Sequence, residues 1–165
     1  MGPVWYGCGK NQERWSYWPL AVISVVQNQH LVITDFRVKG NKNTFSSPGC
    51  GKVVTWQHNA KKVKFEFEHE VSAYHIEYLD EVLIQAWVND FYKANLFIYH
   101  ANGTLKARPA MPKLRHEVYG VYSVWFEQGK KQITMVLHCD EYQPYDTACT
   151  FNVETHAFSQ FHPTK

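Results

Sequence analysis

The cleanest pattern in the chain is an alternation between positions 63 and 71. Val63, Phe65, Phe67, His69 and Val71 hold one register; Lys64, Glu66, Glu68 and Glu70 hold the other. Successive side chains on a strand point to opposite faces, so one face turns to a core and the other carries three glutamates in a row. VVTWQH, over 53–58, precedes it as a second strand, with Asn59-Ala60-Lys61 between them. Upstream, the continuous apolar run LAVISVV (20–26) and the alternating HLVITDFRV (30–38) flank Gln27-Asn28-Gln29 and predict a hairpin. KGNKNTFSSPGCGK, over 39–52, predicts a long loop because Gly, Ser, Asn and Pro dominate it.

The stretch EYLDEVLIQAWVNDFYK, over 77–93, fits two periods. Leu79, Val82, Leu83, Ala86, Trp87 and Phe91 suit a helix, while VLIQAWV bounded by Asn89-Asp90 suits a buried strand. No clear cap opens a helix here, and the segment recurs later, so strand is the expectation and a helix near 77–93 the alternative. The recurrence pairs VLIQAWVNDFYKANLFIYHANGTL from Val82 with ITMVLHCDEYQPYDTACTFNVETHAF from Ile133. Each copy has an apolar run, an acidic residue, an aromatic loop, a strand, a tight turn and a further strand. Ala94 corresponds to Ala148, Phe97 to Phe151 and Tyr99 to Val153. Asn102-Gly103 marks the first turn, since both residue types tolerate positive φ. Gly129 marks another hairpin between the copies. The expected fold is mostly β: a single antiparallel β domain over 1–165, either a curved meander or two packed sheets of blade-like hairpins.

Asn95-Leu96-Phe97-Ile98-Tyr99 followed by Ala101-Asn102-Gly103-Thr104-Leu105 resembles the strand-turn-strand unit of propeller-blade proteins. Phe151 to Phe158 is similar and departs from it at His156, where such turns carry Gly. Over Val82 to Lys165 the chain is similar to small immunity proteins of bacterial contact-dependent growth-inhibition systems. That resemblance implies a bacterial, cytoplasmic protein whose partner is a cognate protein toxin domain. It carries over no functional residue.

Composition narrows the classes. Of 165 residues, 45% are hydrophobic and 19% charged, which fits one folded domain rather than a disordered chain. Aromatics reach 16%, more side-chain area than one small core needs, and they are favoured both in strands and at binding surfaces. The net charge of +2 and the lack of a basic block argue against nucleic acid; Lys106, Arg108, Lys113 and Arg115 read as a solvated loop. No apolar run reaches membrane-span length and the opening residues do not form a signal peptide, so no membrane partner is expected. Cys8, Cys50, Cys139 and Cys149 form no CxxC pair and read as free thiols of a reducing cytosol. The scattered histidines predict no metal, and no cofactor motif is present.

Two surfaces are candidates for partner binding. The first is acidic: Glu66, Glu68 and Glu70 about 7 Å apart on one strand face, with Glu77, Asp80 and Glu81 following. It would steer a basic partner, or else it is a solvated edge strand protected by its charges. The second is aromatic: Trp5, Tyr6, Trp15, Tyr17 and Trp18, residue types that dominate binding hot spots, or else a plug at one end of a sheet. A catalytic pairing of Cys139 with His138 is disfavoured, because neighbours on a strand face opposite ways. Asp140-Glu141 near a histidine is a weaker acid-base candidate. The chain therefore reads as a non-enzymatic, monomeric immunity protein that occludes a toxin. A small-ligand-binding β protein with an aromatic-lined cavity is the alternative.

Overall fold

A computed structural model describes residues 32–40 and 49–164, which belong to one compact unit, residues 31–165. The predicted hairpin strand at 20–26 and Trp5, Trp15 and Trp18 lie outside the described residues. The described residues form ten strands: β1 (Thr34–Lys39), β2 (Cys50–His58), β3 (Lys61–Ile76), β4 (Glu81–Gln85), β5 (Leu96–His100), β6 (Leu105–Ala107), β7 (Val118–Trp125), β8 (Gln132–Cys139), β9 (Thr147–Asn152) and β10 (Phe158–Pro163). Strands β1 to β6 make one antiparallel sheet in chain order, and β7 to β10 make a second. The expected architectures therefore merge, since each of the two packed sheets is itself a meander. Segment 77–93 is not a helix. It is a single 3-10 turn (Glu77–Leu79), strand β4, and a loop over 86–95. Strand β2 opens at Cys50, within the predicted loop.

The two stretches read as copies take equivalent places, as β4–β5–β6 in one sheet and β8–β9–β10 in the other. Gly103 turns the first with φ +85, and His156 takes the matching left-handed place in the second with φ +60. Asn side chains close both turns. Asn102 Oδ1 accepts from the Thr104 amide at 2.9 Å, and Asn152 Oδ1 accepts from the Glu154 and Thr155 amides at 2.9 and 3.0 Å. These bonds satisfy backbone donors that the ladder leaves over.

Strand β3 is bent. Between the pairs Gly51↔Val71 and Val53↔Glu66, β2 advances two residues while β3 advances five. The surplus forms a wide bulge at 67–70, and bulges bend the strand that carries them. The backbones crowd at this corner: a Cβ on Gly51 would collide with the Lys39 carbonyl, so only glycine fits. The first half of β3 pairs with β2, and the second half, from Ser72, pairs with β4.

The bend creates two cores. Leu83, Leu96, Ile98, Val121, Met135, Leu137 and Phe151 pack between the sheets. On the opposite face of β4 and β5, Val82, Ile84 and Phe97 pack against Val54, Trp56 and Val71, where β1, β2 and the first half of β3 fold back across them. Rings run through this second core, with Trp56–Phe65 centroids 5.6 Å apart and Phe65–Tyr99 4.5 Å apart. Trp56 is fully buried, and its Nε1 donates to the Ala101 carbonyl at 2.6 Å. Each such burial stabilises the fold by about 1.5–3 kcal/mol. The aromatic surplus in the composition is thus the content of a second core as well as of a surface.

Candidate partner-binding surface

Loop 86–95 is tied at its base and open at its crown. The Ala86 amide donates to the Asn95 carbonyl at 2.8 Å, closing the loop. Asn95 is fully buried and every arm of its amide is paired. Its Nδ2 donates to the carbonyls of Ala86 and Val121, each at 2.8 Å, and its Oδ1 accepts from the Val121 amide at 2.9 Å. Gln85 Nε2 donates to the same two carbonyls at 2.9 and 3.1 Å. A buried amide is tolerated only when paired in this way, and here the pairing ties β7 to the first sheet. Strand β7 receives two more such bonds. The Lys93 amide donates to the Tyr119 carbonyl at 2.8 Å, and Tyr74 Oη donates to the Val124 carbonyl at 3.1 Å.

Above this base the loop and the outer side of the second sheet enclose a cleft of about 400 Å³. Val88 gives it partly exposed apolar lining, Trp87 and Tyr122 aromatic lining, and Gln85, Asn89, His138 and Asp146 polar lining, while Val121 and Leu137 border it as buried core residues. Trp87 is 47% exposed and Tyr122 66% exposed, large values for residues of such apolar area. The aromatic surface continues through His138–Tyr119 and Tyr119–Tyr92, with centroids 5.3 and 5.8 Å apart. Lys93 pairs with Glu117 beside it; the hydrogen bond between them raises the Lys93 pKa and lowers that of Glu117.

The acidic candidates fall into two groups. Glu66, Glu68 and Glu70 are all exposed, but Glu66 is ion-paired with Lys64, and the bulge breaks the regular alternation after Phe67. This bulge borders the cleft loop: His69 Nδ1 lies 2.9 Å from Asp90 Oδ2, and the His69 ring lies 6.3 Å from that of Trp87. Glu77 and Asp80 lie beyond the far end of β3. Glu77 is exposed, and its amide donates to Gln128 Oε1 at 3.5 Å. Asp80 ends the 3-10 turn in a left-handed conformation, and its Oδ1 accepts from the Ile33 amide at 2.7 Å. His75 Nε2 stands 3.5 Å from the same oxygen, an electrostatic contact rather than a made hydrogen bond. Sequence reasoning did not single out Trp87, Tyr122 or Asp146, and it weighed His138 only as a partner for Cys139.

The chemistry of the thiols matches their burial. Cys139 is buried while His138 is exposed on the other face. Burial pushes the Cys149 thiol up to about 12, which keeps it protonated and poorly nucleophilic. The described cysteines, Cys50, Cys139 and Cys149, are free. Among the described residues, no group of three or more His, Cys, Asp or Glu is arranged to hold a metal ion. No described helix is long and apolar enough to cross a membrane.

No family model matches the sequence, and no curated protein matches it. A solved structure does resemble it: a chain from a structure of Tne2 in complex with Tni2. The superposition has a TM-score of 0.55 and covers 81% of this chain and 100% of that one, at 12% identity. The likeness is one of fold.

Proposed function

We propose that this protein is an immunity protein, which neutralises a cognate toxin domain by covering it and performs no chemistry of its own. The observation that carries the reading is the fold likeness to a chain of the Tne2–Tni2 complex, a toxin and immunity pairing. The exposed aromatic cleft supports it, because aromatic side chains with a polar rim are the composition of binding hot spots. The acidic strand adds to it: His69 of the bulge meets the cleft loop at Asp90, and the exposed Glu66, Glu68 and Glu70 on the same strand would steer a basic toxin face toward it. Glu77, Asp80, Trp5, Trp15 and Trp18 belong to the same proposal as further partner-binding residues. The reading places the protein in the bacterial cytoplasm, as a monomer and a single domain over 1–165, within a contact-dependent growth-inhibition system.

The test is co-expression with the toxin domain encoded beside it. A one-to-one complex, and protection of growth that depends on this chain, are expected. Glu66→Lys with Glu68→Lys should slow association about tenfold at low salt and much less at high salt. No complex and no protection would overturn the proposal. Unchanged association rates would remove the acidic bulge from it. The cleft volume of about 400 Å³ also favours a second reading, a small-ligand-binding β protein. In that case a small molecule would raise the melting temperature with no toxin present.

A further inference from the structure

The polar lining of the cleft includes open acceptors at Gln85 and Asp146. Gln85 uses its amide nitrogen on the Ala86 and Val121 carbonyls, which fixes the amide and leaves Oε1 open. Asn89 and Asp146 line the same cleft, and neither side chain makes a hydrogen bond or ion pair among the described residues. Asp146 is exposed, so its carboxylate is available to solvent and to a partner. Trp87 and Tyr122 offer aromatic surface, and the partly exposed Val88 offers apolar contact. Asp90 in the loop pairs with His69 of the bulge, on the strand that also carries the exposed Glu68 and Glu70. The surface thus combines open acceptors, stacking rings, an apolar lining and local negative charge.

We propose that this cleft takes an arginine side chain of the partner protein, with the guanidinium paired to Asp146 and stacked against Trp87 or Tyr122. A guanidinium is planar, carries five donors and no acceptor, and stacks on aromatic faces. Its alkyl stem suits the apolar lining. Lysine matches less well, because an ammonium is a strongly hydrated point charge that cannot stack. The inference rests on the reading of this chain as the binder of a protein toxin, and it names the chemistry of the anchor that reading requires.

The experiment is an NMR titration of the full-length protein with three blocked tripeptides whose central residue is arginine, lysine or citrulline. Citrulline keeps the shape of arginine and removes its charge. The arginine peptide should shift the Trp87 indole and His138 signals, with the other two binding about tenfold more weakly. Asp146→Asn should weaken the arginine peptide about tenfold; the residue is exposed, and unchanged signals elsewhere would verify that the fold is kept. Equal shifts from all three peptides, shifts away from the cleft, or no shift would overturn the anchor. Growth protection reads the immunity proposal separately. A chain that protects cells yet binds no arginine peptide overturns the anchor alone. A chain that binds the peptide yet forms no complex with the toxin leaves the cleft chemistry standing and overturns the immunity reading.

Discussion

Strands β4 and β8 occupy corresponding places in the two copies, yet their surroundings differ. In β4, Val82 and Ile84 enter one core while Leu83 enters the other, so the strand is buried on both faces. In β8, Ile133, Met135 and Leu137 enter the core between the sheets, while Gln132 and His138 stay exposed. The same antiparallel pattern therefore serves two purposes. Covered twice, a strand becomes the centre of the fold. Covered fully on one face and only in part on the other, where Val136 is also buried, β8 leaves exposed positions such as Gln132 and His138 on its outer face.

The comparison can be broken most forcefully at its centre. Leu83→Ala should destabilise the fold by about 3 kcal/mol, read as a lower urea midpoint, because a cavity in a packed core adds to the lost burial. Asn95→Ala should cost about 2 kcal/mol. The carbonyls of Ala86 and Val121 keep Gln85, whereas the buried Val121 amide loses its acceptor. Combining it with Gln85→Ala should cost more than the sum, since both side chains serve the same two carbonyls.

A smaller effect sharpens the comparison at the turn of the second copy. Burial first, and then nearby Lys106, hold the His156 imidazole below its ordinary value near 6.5, with Glu81 opposing. The unfolded chain therefore binds a proton at a higher pH than the folded one. Stability from this site is present above 6.5 and declines as pH falls through and below that value. His156→Asn, which tolerates the left-handed backbone, should flatten the fall in melting temperature between about pH 7 and about pH 5. The smallest effect belongs to the outer face. Tyr122→Ala should change stability by less than about 0.5 kcal/mol while weakening partner binding. If Tyr122→Ala destabilised as much as Leu83→Ala, the distinction between the two faces would fail.

The same contrast explains what could be read in the sequence. Val63, Phe65 and Phe67 alternate with exposed residues because that stretch is covered on one face only, and the pattern was plain. Strand β4 lost its period because every position from Glu81 to Ile84 is buried, leaving a run equally suited to a helix. Turns at Asn102-Gly103 and Gly129 were legible, since positive φ is a local demand met by particular residues. The bulge at 67–70 was not, because it is fixed by pairing with β2 and by the approach of Lys39 to Gly51. Nor was the cleft, whose lining comes from β4, its following loop, β7, β8 and the segment before β9. Asp80 was legible as an acid but not as the acceptor for the Ile33 amide, a contact between residues far apart in the chain.

Strand β7 stands at the end of its sheet, where an unpaired backbone would invite another chain to pair with it. Asn95, Gln85, Tyr74 and the Lys93 amide already occupy backbone groups of Tyr119, Val121 and Val124. A foreign strand approaching VYGVYSVW would have to displace these partners before it gained a bond. Extension of the sheet is thereby closed at this edge, to a second copy as much as to any other chain. Recognition beside β7 has to be spelled in side chains, and its specificity then follows their identity rather than the generic grammar of the main chain.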